Sequence, residues 1–277
     1  MQKVNIDTAI LSLTAPGVEI VSEAKQPKFA RDVNTYAAKV RDENPTHFGF
    51  FASTPSLLNT SAAITEITYA LDVLHADGVV LFTRYGDSNY YLGHELFKPI
   101  WEELNKRKAV VFIHPTHPVD TNLVNRLLPQ PVLDYPHEST KTAFDLILSG
   151  TKRAFPDCKI ILSHAGGTLP FLLPRAAQLI SRLSDNFGHR MTAEQIVEDA
   201  KSFYVDLALS SSPEILDTLL KNFPIERILF GSDTPYAPDG AVLAFNQLLD
   251  EYPLSVEMRE KLAFRNAMEV FQRPNRA

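Results

Sequence analysis

Apolar runs of strand length alternate along the chain with longer amphipathic stretches. Residues 7–13, 46–52, 77–83, 109–114, 159–164, 202–208 and 227–232 are dense in Val, Ile, Leu and Phe. Such runs fit parallel strands buried on both faces. Residues 27–43, 60–75, 95–107, 138–154, 168–184, 213–222, 240–250 and 255–272 suit helices. Strand and helix in alternation imply right-handed βαβ units and one parallel sheet. No low-complexity linker or short repeat interrupts residues 1–277, which read as a single domain. The stretch 115–136 is long, Pro-rich and apolar, so it is expected to be a lid or a substrate loop.

Seven strands fit a doubly wound open sheet as well as a barrel. The polar residues favour the barrel. They gather at the C-terminal ends of several strands, where α/β barrels build their sites. The expected fold is therefore an α/β, TIM-like (β/α)₈ barrel.

Composition narrows the partners. The chain has 277 residues, with 27 basic and 33 acidic side chains and a net charge of −6. It has no basic block, which argues against nucleic acid and anionic membranes. No apolar run approaches the ~18 residues of a membrane span, and the opening MQKVNIDTAILSLTAPG does not read as a signal peptide. A soluble, cytoplasmic protein is expected. The lone Cys158 excludes an internal disulfide and reads as a buried, inert thiol.

Three strand ends carry candidate chemistry: VVFIHP with His114, IILSHAGG with His164 and ILFGSDTPY with Asp233. In a barrel all three point into one mouth, where two imidazoles and a carboxylate suit a divalent ion or proton transfer. One histidine at a strand end is more often simply hydrogen-bonded; three such ends together make coincidence a poor explanation. Gly166 and Gly167 after His164 allow close backbone approach, or only a tight turn. Arg84 could clamp a carboxylate or form a surface ion pair. Tyr85 and Tyr236 could meet an aromatic ring or pack in the core. His117 could reach the mouth from the Pro-rich loop. His94 and His137 could cap helices or line the site, and His47, His75 and His189 look structural. Asp206 ends a strand and could equally satisfy neighbouring backbone. No G-x-S-x-G elbow, G-x-G-x-x-G, P-loop or H-E-x-x-H occurs.

VFIHP, ILSHAGG and ILFGSDTPY, in this order and spacing, resemble the amidohydrolase-related, aminocarboxymuconate-semialdehyde decarboxylase-like family. AILSLTAPG, HADGVVLFTRYG, HPTHPVDTNLVN and FPDCKIILSHAGGTLPFL look closest to its fungal 6-methylsalicylate decarboxylase branch. The resemblance implies metal-dependent, non-oxidative decarboxylation of a small salicylate-type acid, in that branch 6-methylsalicylate to 3-methylphenol and CO₂ in secondary metabolism. It implies His114 and Asp233 as ligands of Zn²⁺ or Mn²⁺, and His164 and Asp233 as catalytic groups. Arg84, Tyr85, His117 and Tyr236 become candidates for binding substrate, and a homodimer is implied. The family's first strand carries H-x-H or E-x-H; neither motif occurs here. The expected barrel thus lacks that strand and binds metal weakly. Metal-assisted hydrolysis of a lactone or amide, and a non-catalytic barrel, are the rival readings.

Overall fold

The computed structural model describes residue 1, residues 4–187 and residues 191–271. His189 and residue 272 of the expected last helix lie outside them. Seven strands form one parallel sheet: β1 (Ala9–Leu11), β2 (Phe48–Ala52), β3 (Gly78–Phe82), β6 (Val110–His114), β7 (Lys159–Leu162), β8 (Tyr204–Asp206) and β9 (Ile228–Leu229), in that order. Each strand pairs with its successor in the sheet, for example Phe82 opposite His114 and Asp206 opposite Leu229. A doubly wound sheet would reverse direction at a switch point. This one never reverses, so it is a singly wound, curled, TIM-like sheet.

The helices cover its outer face: α1 (Gln26–Glu43), α2 (Thr60–Asp72), α3 (Lys98–Lys106), α4 (Gln130–Leu148), α5 (Thr151–Ala154), α6 (Leu169–Phe187), α7 (Ala193–Lys201), α8 (Pro213–Asn222) and α9 (Asp239–Glu251). The last helical stretch is α10 (Val256–Glu260), a wider π turn at Lys261–Arg265, and α11 (Asn266–Phe271). The larger core lies between strands and helices and includes Phe50, Leu81, Ile113, Leu162 and Val205. Ile10, Phe51, Val80, Phe112, Ile161, Tyr204 and Leu229 fill the inside of the curl, with Val270 and Phe271 of α11 among them. Lys159, at the start of β7, donates to the Val270 carbonyl at 2.8 Å, which places α11 under the N-terminal ends of the strands. The C-terminal ends form the opposite mouth.

Among the described residues β1 and β9 do not pair with each other, so the sheet stays open there. Val4 and Ile6, ahead of β1, instead pack against Leu209, Ala237 and Val242. This contact carries the chain across the gap to the segment that follows β9.

Several elements differ from the expectation. Helix α4 begins at Gln130 rather than residue 138, because Pro131 suits a first helical turn, where its missing N–H has no partner to lose. Gly150, with φ 78°, ends α4 and separates it from α5. Strand β9 stops at Leu229 because the Phe230 N–H turns to the Leu262 carbonyl at 3.1 Å. Helix α7 and the hairpin β4 (Arg84–Tyr85) with β5 (Tyr90–Tyr91) were not anticipated.

Candidate metal centre

His114 is the last residue of β6 and is buried. His164 lies one residue beyond β7, after Ser163, and Asp233 lies in the turn beyond β9. One ligand atom from each of these three residues can be chosen so that all lie within 4.8 Å of one another. The His114 and His164 rings are 6.0 Å apart between centroids and nearly perpendicular. Each ring gives its Nδ1 to a backbone carbonyl: His114 to Pro115 at 2.7 Å, His164 to Ala208 at 3.1 Å. A carbonyl only accepts, so both Nδ1 atoms carry a proton, and Nε2 is the ring nitrogen each histidine leaves for a metal or a substrate. Two such nitrogens and a carboxylate form a donor set suited to a divalent ion.

The electrostatics agree with this geometry. Burial, with His164 close by, lowers His114 to about 4, so its imidazole is neutral near pH 7. Burial raises the Asp233 carboxyl; His164 opposes the shift and Asp206 adds to it. Burial also raises Asp206 at the end of β8, against the pull of His164 and two backbone N–H groups.

The other candidates divide. The His117 ring packs on Tyr135, which also packs on His114, and its Nδ1 meets the Gln130 side chain. Arg84 is buried, with Nη1 donating to the His117 carbonyl at 3.1 Å and Nη2 to the Gly86 carbonyl at 2.6 Å. Only its Nε lacks a partner. Arg84 therefore fastens the loop that carries His117. Tyr85 points the other way: its ring packs on Phe97 in the outer core, and its hydroxyl accepts from the Phe82 N–H at 3.0 Å. The structure does not bring it to the metal cluster. Tyr236 is half exposed in the segment after β9. His94 accepts from the Leu96 N–H at its helix start, and His47 Nδ1 meets the Asp7 carbonyl. Cys158 is buried, and burial pushes its thiol up to about 12, so it is inert. Tyr135 and Gln130 were missed because they fell in the stretch read as loop.

Residues 3–273 match the family model described as Amidohydrolase. The chain is 49% identical over 273 residues to the 6-methylsalicylic acid decarboxylase of Penicillium expansum, covering 98% of this chain and 84% of that one. The crystal structure of an amidohydrolase II protein superposes with a TM-score of 0.88 at 25% identity, over 99% of this chain and 86% of that one. A dihydroxybenzoic acid decarboxylase from Polaromonas, with bound manganese and the inhibitor 2-nitroresorcinol, superposes with a TM-score of 0.83 at 24% identity, over 98% and 83%. No helix of the described residues is long and apolar enough to cross a membrane.

Proposed function

Because the chain belongs to the amidohydrolase family, we propose that it is a metal-dependent carboxy-lyase that removes CO₂ from an ortho-hydroxy aromatic acid, with 6-methylsalicylate as substrate. The observation that carries this reading is the convergence of His114, His164 and Asp233 at one mouth. The 49% identity to a 6-methylsalicylic acid decarboxylase supports the substrate.

The His114 Nε2 and the Asp233 carboxylate would hold the divalent ion, zinc or manganese; the manganese in the Polaromonas relative supports the second. When bound, the ion would supply Lewis-acid chemistry. Two residues of the chain then face the proton transfer. The His164 Nε2 and the Asp233 carboxyl both stand at the mouth, and one of them, after taking a proton from solvent, passes it to the ring carbon bearing the carboxylate. The bond from that carbon to the carboxylate breaks, its electron pair returns to the ring, and CO₂ and 3-methylphenol result. Proton donation of this kind contributes ~10²–10⁴-fold. His114, neutral and with Nδ1 tied to Pro115, orients without exchanging protons.

The test is CO₂ release from 6-methylsalicylate by purified protein, before and after adding Zn²⁺ or Mn²⁺, with 3-methylphenol identified as product. Metal-dependent release of both products is expected. A folded, metal-loaded protein that releases no CO₂ from any ortho-hydroxy aromatic acid would refute the proposal. Hydrolysis of a lactone or amide by the same protein would replace it.

A further inference from the structure

The turn after β7 has an uncommon backbone. His164, Ala165, Gly166 and Gly167 have φ values of 54°, 56°, 73° and 67°. Two of these residues carry a Cβ, and such strained backbone persists only where its surroundings over-determine it. On one side α4 supplies the restraint: the Thr168 N–H donates to Thr140 Oγ1 at 2.8 Å, and Gly167 lies against the Pro136 carbonyl. On the other side the restraint comes from the end of β8. Asp206 Oδ1 accepts the His164 N–H at 2.9 Å and the Ala208 N–H at 3.0 Å. The carbonyl of that same Ala208 takes the Nδ1 of His164 at 3.1 Å. The next strand end leaves room for this arrangement, since a Cβ on Gly231 would lie 2.9 Å from the Asp206 carboxyl carbon.

We propose that Asp206 is a positioning residue for His164: one carboxylate oxygen ties the left-handed backbone of the histidine to the Ala208 segment, so that the Ala208 carbonyl fixes the ring proton on Nδ1 and turns Nε2 to the mouth. The proposal rests on the reading of His164 as a proton-handling group in the proposed decarboxylation. Asp206 Oδ1 accepts two backbone N–H groups, one of them that of His164, so it acts through His164. A donor group held this way keeps one ring orientation and one tautomer before substrate arrives.

The experiment is ¹⁵N NMR of the histidine rings in the metal-free protein, with the His164 signal assigned by its loss in His164→Gln, alongside steady-state kinetics of the metal-loaded protein. The wild type is expected to carry the His164 proton on Nδ1. Asp206→Ala is expected to lose that tautomer preference and to lower kcat roughly 10–100-fold, the usual cost of removing such a partner, with KM little changed. Asp206→Asn keeps an oxygen that can accept both N–H groups, so it is expected to keep the tautomer and most of kcat. A wild-type ring that carries its proton on Nε2 and none on Nδ1 overturns the proposal. So does an Asp206→Ala protein with unchanged tautomer and kcat, or an Asp206→Asn protein that keeps the tautomer but loses kcat as fully as Asp206→Ala. Should Asp206→Ala fail to fold, the wild-type tautomer and the Asn variant still decide. Should the wild type turn over no aromatic acid, the proposed reaction fails, while the ring spectrum still judges Asp206.

Discussion

His114 and His164 face one mouth from adjacent strands, yet they are held in opposite ways. His114 belongs to its strand: it is in register with Phe82, and its Nδ1 goes to the carbonyl of the next residue. Its ring is packed by Phe82, Phe112 and Tyr135. His164 stands just past its strand in a left-handed turn, tied to Asp206 and Ala208, more than forty residues along the chain. One histidine is placed by sheet register, the other by tertiary contacts. Substitutions far from the second are therefore expected to reach it, whereas the first should respond only to its immediate neighbours.

The largest effects are expected from removing the rings. His164→Ala should lower kcat by roughly 10²–10⁴-fold, the span of a lost proton donor, while the protein still retains metal through His114 and Asp233. His114→Ala should lose metal first and activity as a consequence. Metal analysis after dialysis, run beside CO₂ release, separates the two. If His164→Ala loses its metal as completely as His114→Ala, the division of labour between the two histidines is wrong.

Much of this arrangement is legible in the sequence, and the exceptions have physical causes. Strands buried on both faces stand out as apolar runs, so the residue ending each run is identifiable, and His114, His164 and Asp233 were found in this way. The facing of Arg84 and Tyr85 was not. Neighbours on a strand point to opposite faces, and the sequence does not say which of the two looks inward. The hairpin they begin packs Tyr91 against Glu138 of α4, a contact 47 residues distant. The start of α4 was hidden by Pro131 and Pro136, which read as loop residues although the first fits a helix start. Gly166 and Gly167 signalled a turn, but nothing in HAGG shows that His164 and Ala165 share the left-handed conformation. That conformation needs Asp206 and Thr140, and their proximity is a property of how the curled sheet and helix α4 pack.

The restraint from α4 can be probed at Gly167. A Cβ there would lie 1.9 Å from the Pro136 carbonyl oxygen, backbone against backbone, at a φ of 67°. Neither side can move without displacing helix α4 or the turn. Gly167→Ala is expected to destabilise by roughly 3 kcal/mol or more, strain and overpacking together, read as a lower urea midpoint at unchanged slope. Because the turn carries His164, the variant should also lose activity at temperatures where it stays folded. A stable, fully active Gly167→Ala would mean that α4 does not restrain the turn.

Gly166→Ala, one residue earlier, sharpens the same point with a smaller effect. Its φ is 73°, as left-handed as that of Gly167, yet the nearest atom to a Cβ there is a Val205 methyl at 3.4 Å, an ordinary contact. Only the backbone preference is lost, which costs about 1–2 kcal/mol, and Ala165 already shows that alanine can occupy this conformation in the same turn. A melting temperature lower by a few degrees, with kcat and metal content close to wild type, is the expected outcome. Equal losses in the two glycine variants would show that left-handed backbone alone sets the cost. A wide gap between them would assign the difference to the Pro136 carbonyl of α4 together with the ψ of −128° at Gly167, which suits glycine alone.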